Sequence, residues 1–280
     1  MDTTNVKNTL IKRLTFLRKA YESNLKLVVD TFDDEAIHDL RVSLRRIQAL
    51  VSYIDEICNE NISMNLLKDI KIKIKKFNKL RDTQVQIQFL IKQIKKFTEI
   101  VDLLVFLKKR EKKQIKKLKI ALNLPDFDLS GDFFFYQTKL QQTSCLNRIQ
   151  MDDIIKNAQN SLNELKTFIA MIEKGRYETY HKTRIKLKKF RYIIETIEEI
   201  IQSPNEKLKE LQNLQTILGE IQDFTVLLSL IDNFCQRENI EVSKFADFVE
   251  FVQQKREEKE QEFWNNIKIL EFWDNFLMDF

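Results

Sequence analysis

The sequence predicts an all-α fold: two tandem four-helix up-down bundles related by a pseudo-twofold axis, an internal duplication. Three observations lead there. Only three Gly and two Pro occur in 280 residues, far below ordinary usage, whereas a β architecture needs turns at short intervals and leans on those two residues to make them. Apolar residues recur at helical spacing along nearly the whole chain. Three pairs of anchors also recur in the same order: His38 with His181, Asp82 with Asp223 and Arg110 with Arg256, at separations of 143, 141 and 146 residues. Anchors in one order at nearly one period argue for duplication.

The helices are expected at about 4–29, 34–58, 62–97 and 99–122 in repeat one (1–122), and at about 151–174, 178–201, 205–237 and 242–266 in repeat two (151–280). Between them NLPDFDLSGDFFFYQTK, with one Pro and one Gly, marks a linker over 123–150. Gly175 fits a helix C-terminus, and Ser203-Pro204 a helix start. Short connections make consecutive helices antiparallel neighbours. The nine apolar-rich residues at the end, FWDNFLMDF, are expected to close the second bundle.

Apolar residues make up 43% of the chain, enough for a sizeable core. Cys58, Cys145 and Cys235 form no CxxC or Cys/His spacing, which points to a reduced, intracellular setting and away from a structural zinc. The opening MDTTNVKNTLIKR lacks the apolar core of a signal peptide. No apolar run approaches ~18 residues, so no membrane span and a cytoplasmic location are expected. Charge is unevenly distributed. Residues 1–150 hold 29 Lys and Arg against 18 Asp and Glu, residues 151–280 hold 18 against 24, and residues 68–119 alone carry 18 against 5. Such density is unfavourable unless solvated or met by an anion.

The most informative stretches surround the only two histidines. In IHDLRVSLRRIQALVSYI, Leu40, Leu44, Ile47, Val51 and Ile54 make the core stripe, and His38, Arg41 and Arg45 fall within about 60° of one another beside it. In YHKTRIKLKKFRYIIETI the core stripe is Leu187, Phe190, Ile194 and Ile197, with His181, Arg184 and Lys188 on the edge and Arg191 flanking. Arg46 matches Lys189. A basic helix edge is ordinarily a solvated face, but surface charge has no reason to keep position through a duplication. The shared pattern points to a shared anion. Arg takes two oxygens of one phosphate, and Lys adds point charge. Two related stripes, extended by Lys68, Lys71, Lys75 and Lys79 on one helix edge and by Arg110 with Lys108, Lys112 and Lys116, suit a long polyanion. The histidines act as conditional donors, since neighbouring cations disfavour the imidazolium and a bound phosphate favours it.

At these residues the chain resembles the CHAD family, the conserved-histidine α-helical domain. The likeness lies in His-x-x-Arg-Val-x-x-Arg-Arg at 38–46, His-x-x-Arg-Ile-x-x-Lys-Lys-x-Arg-Tyr at 181–192 and Leu-Gly-x-x-x-Asp at 218–223. It covers nearly the whole chain, making 1–280 a single CHAD domain. The resemblance implies two four-helix bundles around a basic groove or pore, binding of inorganic polyphosphate, recruitment to polyphosphate granules, and no established chemistry. It assigns ligand contacts to His38, Arg41, Arg45, Arg46, His181, Arg184, Lys188, Lys189 and Arg191. Three positions depart from the pattern: Gln48 stands where the family often has a basic residue, Asn78 at the place of Gly219, and Gln222 at the place of Arg81.

Other function classes fit less well. A polyphosphate-processing enzyme would need carboxylates holding Mg²⁺ or a Gly-rich cradle with Lys. Neither G-x-x-x-x-G-K-[ST] nor Glu-x-Glu-x-Lys occurs, so no catalytic residue, metal or cofactor is expected. Asp82 and Asp223 are expected to form structural salt bridges to a motif Arg or Lys, because a partly buried carboxylate needs a partner. Nucleic acid would bind as a weaker polyanion, since single-strand readers interleave aromatics with charge and these edges do not.

Overall fold

The structure, a computed structural model, describes residues 3–122 and 127–280. Among them are ten α-helices and no strand: α1 (Thr3–Thr31), α2 (Asp34–Cys58), α3 (Met64–Gln93), α4 (Val101–Leu122), α5 (Ser130–Gln142), α6 (Met151–Ala170), α7 (Tyr177–Ile201), α8 (Asn205–Glu238), α9 (Ala246–Asn266) and α10 (Ile269–Met278). The fold is all-α. In each half, consecutive helices joined by short turns pack on one another, α1 to α4 and α6 to α9, while α2 packs on α7 and α3 on α8 across the halves.

The helix that carries the first motif begins where the sequence provides a cap. Asp33 sits in extended backbone, and its carboxylate accepts the backbone N–H of Ala36 at 2.7 Å. At its other end Asn59 turns into the left-handed region at φ 52°, a conformation Asn tolerates. Ile37, Leu40, Leu44, Ile47, Val51 and Ile54 are all fully buried, as are Leu187, Phe190, Ile194 and Ile197 of α7. Both core stripes are thus as the spacing predicts.

The apolar cores are not divided as the two repeats are. One large core joins α1, α2, α5, α6, α7 and α10 to the N-terminal parts of α3 and α8, as far as Leu80 and Ile221, and takes in Leu118 of α4 and Phe263 of α9. A second joins α4 and α9 to the C-terminal parts of α3 and α8, from Ile87 and Leu227 onward. Between them lies a polar waist: Arg81, Asp82, Thr83, Gln84 and Gln86 on α3, Gln222 and Asp223 on α8. Gln86 Nε2 donates to the Asp223 carbonyl at 3.0 Å and ties the two long helices together there.

Several expectations change. The stretch read as a linker contains α5, whose Phe133, Tyr136 and Leu140 are buried in the large core; residues 123–126 of it lie outside the described residues. Gly175 does not end α6, which stops at Ala170; it sits in the turn before α7 with φ 84°. The apolar C-terminal residues form α10, and fully buried Trp273 and Leu277 close the large core. Cys58 and Cys145, expected without a disulfide, are bonded, with Cα atoms 5.5 Å apart, and join the end of α2 to the segment after α5. Cys235 is free and buried. Disulfides are uncommon in reducing compartments, so the cysteines no longer favour one. Finally, α8 contains an 18-residue window of mean hydropathy 1.3, long and apolar enough to cross a membrane by length and composition. The sequence reading did not expect such a window. Leu211, Leu214, Leu218, Ile221, Leu227 and Ile231 of this helix fill the two protein cores.

Candidate functional site

The cationic edges of α2 and α7 meet at the polar waist. Arg41 and Arg45 come from α2, Arg184 and Lys188 from α7; Arg45 acts on Arg41 and Arg184, and all three guanidinium groups act on Lys188. The Nε–H groups of Arg41, Arg45 and Arg184 are buried and lack an acceptor. Among the described residues, none of these four cations has a carboxylate within ion-pair distance. Arg45 has one neutral partner, Asn78 Oδ1, at 3.2 Å from Nη2. The guanidinium of Arg184 lies against Gly219: a Cβ there would stand 3.6 Å from its Nε and 3.7 Å from Nη2. Arg45, Arg184, Lys188, His181, Tyr53 and Tyr192 help line a cavity of about 500 Å³.

The electrostatic cost of this arrangement shows in the pKa values. Lys188 is pushed down to about 6 by burial, then by Arg45, Arg184, Arg41 and Arg191. Arg41 falls to about 10 through burial, Arg45 and Arg81. Arg184 is lowered by burial, with Asp223 opposing. His38 is lowered by burial, Arg81 and Arg41. Its counterpart His181 is exposed, and its Nδ1 lies 2.8 Å from Gln222 Oε1. Arg81 and Gln222, its departing counterpart, therefore sit beside the equivalent histidines, one as a repelling cation and one as a neutral partner.

The expected salt bridges of Asp82 and Asp223 do not form. Both carboxylates lie near the cluster, since Asp82 feels Arg41, Arg184, Arg45 and Arg110, and Asp223 feels Arg184 and Arg41. Neither is within ion-pair distance of them. Desolvation outweighs these cations, raising Asp82 and bringing Asp223 up to about 6. At that separation the acids moderate the positive field without neutralising any guanidinium.

The remaining sequence-assigned residues separate. Arg191 is not free. It is buried, pairs with Glu195 at 2.5 Å and donates to Gln215 at 2.8 Å. Lys189 bridges to Glu56 at 3.1 Å and reaches Glu164 at 4.0 Å. Arg46 is exposed on α2. Lys79 and Arg110 line a second, larger cavity of about 910 Å³ with Lys109, Lys113, Lys117 and Arg237. Arg110 is close enough to influence Asp82, so this basic wall of α4 adjoins the waist. Lys68, Lys71 and Lys75 are exposed on α3 and line neither cavity. Arg256, the counterpart of Arg110, stacks its guanidinium 3.5 Å from the Tyr177 ring centroid, so that anchor kept its place without keeping its role. Arg81, Asn78 and Arg237 were not singled out as site residues. Arg81 and Asn78 lie one and four residues before Asp82, an anchor of the repeat.

A mostly helical chain with a cationic cluster at the contact of its two histidine helices points to a class of α-helical histidine-motif proteins. The CHAD domain model matches residues 12–232, and the chain belongs to the CHAD family. Among solved structures it is similar to the CHAD domain from the plant Ricinus communis, with TM-score 0.68 and 18% identity over 98% of this chain and 92% of that one. It is also similar to PptA from Streptomyces chartreusis, with TM-score 0.70 and 12% identity over 94% and 99%. Comparison with curated proteins finds no match.

Proposed function

We propose that the chain binds inorganic polyphosphate, without processing it, in a basic groove along the waist, and that this serves attachment to polyphosphate granules in the cytoplasm. One observation carries the reading: Arg41, Arg45, Arg184 and Lys188 converge from two helices with no carboxylate in contact. Unpaired, partly buried cations are costly unless a ligand relieves them. A string of phosphates supplies oxygens to several guanidinium forks at once. The α4 wall of Lys109, Arg110, Lys113 and Lys117 gives a longer chain further charge to follow. A base-stacking ligand fits less well, because Tyr192 already carries the Arg191 guanidinium 4.4 Å from its ring centroid.

The test is a titration with polyphosphate of defined length against the Arg41→Ala/Arg184→Ala double variant. Charge-assisted hydrogen bonds contribute roughly 1.5–3 kcal/mol each, so affinity should fall by about two to four orders of magnitude while the melting temperature barely moves. Unchanged affinity, or an unfolded variant, would remove the basis of the proposal. Incubation of the pure protein with polyphosphate and Mg²⁺ should leave chain length unaltered.

A further inference from the structure

The two halves of the waist also differ at Asn78 and Gly219. Arg45 donates to Asn78, whereas its counterpart Lys188 stands where the corresponding acceptor position is Gly219, which has no side chain. Among the described residues the Lys188 amine has neither a hydrogen-bond acceptor nor a carboxylate. It nevertheless opens into the 500 Å³ cavity beside Arg45 and Arg184, and Ala49, Ile185 and Ile193 give that cavity an apolar side. A half-buried lysine held against other cations is activated as a nucleophile.

We propose that Lys188 is an acylation site for small acyl phosphates: the phosphate seats on Arg45 and Arg184, the acyl group lies on the apolar side, and the carbonyl meets the Lys188 amine. The amine lone pair attacks the carbonyl carbon, and the C–N bond forms. The C–O bond to phosphorus breaks, inorganic phosphate leaves with that electron pair, and the amine proton passes to the departing phosphate or to water. The amide product cannot take up a proton, so the waist loses the ammonium that Lys188 would otherwise offer a bound anion. In the free protein the pKa of about 6, set by burial and by Arg45, Arg184, Arg41 and Arg191, makes the uncharged amine the resident form at neutral pH. Asp82 and Asp223, on the facing helices α3 and α8, are too distant to pair with these cations.

The inference rests on the preceding reading only in taking Arg45 and Arg184 to hold a phosphate. Acetyl phosphate is the probe, with site-resolved mass spectrometry of the whole protein as the readout. Lys188 should be acetylated at least about ten-fold faster than the exposed Lys26 and Lys209, in line with its larger free-amine fraction. That preference should collapse in Arg184→Gln. Equal rates at all three lysines would overturn the proposal, as would a preference that survives Arg184→Gln with its fold intact by circular dichroism. A polyphosphate titration on the same sample separates the two readings: selective acetylation without polyphosphate binding keeps this inference and removes the other.

Discussion

At the residue scale the molecule turns on how few partners Lys188 has. Its lowered pKa means that the unfolded chain binds a proton which the folded one excludes between about 6 and the ordinary lysine value. The penalty therefore grows as pH falls from about 10.5 toward 6 and saturates below that. Lys188→Met should raise the melting temperature by a few degrees at pH 7 and by almost nothing at pH 10.5, as thermal melts will show. Ligand binding reverses the balance. A bound polyanion favours the ammonium form of Lys188 and the imidazolium of His38, which burial, Arg81 and Arg41 hold down in the free protein. Asp223, raised to about 6, repels anions less as it protonates. All three act in one direction: polyphosphate affinity should rise from pH 8 to pH 6, with proton uptake on binding. Calorimetry in two buffers of different ionisation enthalpy reads that uptake, and equal affinity at both pH values would refute it. Both histidine motifs were legible in the sequence because the same spacing of His, Arg and a second cation occurs twice. The unpaired state of Asp82 and Asp223 was not, because contact distance between helices is set by packing that one strand of text does not record.

At the element scale α7 shows how one helix divides its cations between structure and site. The wheel placed Arg191 beside the binding edge, yet the structure turns it inward onto Glu195, one turn further on. The signal was present as an Arg–Glu pair at i,i+4. The pattern of the first repeat, with Gln48 at the matching position and no buried acid a turn later, obscured it. Removing one partner of a buried pair leaves the other uncompensated. Arg191→Ala should therefore cost about 3–5 kcal/mol in denaturant unfolding, whereas Arg191→Met with Glu195→Leu should cost far less. If Arg191→Ala left stability intact and weakened only ligand binding, the structural role would be wrong. Long helices were legible from spacing alone. The short α5 was not, since a Pro precedes it in sequence, a Gly stands in its first turn and only three of its side chains are buried.

At the scale of the whole molecule, the arrangement that matters is the interruption of the core. The two long helices α3 and α8 run through both apolar clusters, and each changes to polar residues at the same place, beside Asp82 and Asp223. The waist so formed is where α2 and α7 bring their cations, so the fold holds the cluster between two packed regions and its charges cannot drift apart. Stability of the frame and chemistry of the waist are thereby separated in space. The Cys58–Cys145 bond lies at the far end of α2, thirteen residues beyond Arg45, which at 1.5 Å per residue is about 20 Å along the helix. It spans 87 residues of sequence, and crosslinks typically contribute about 2–4 kcal/mol by restricting the unfolded chain, with long loops at the upper end. Reduction, or Cys145→Ser, should lower the denaturant midpoint accordingly while polyphosphate affinity stays within about two-fold, since no residue of the cluster is tied to the bond. A large loss of affinity on reduction, with the fold still intact by circular dichroism, would show that the large core and the waist are mechanically coupled and that the separation fails.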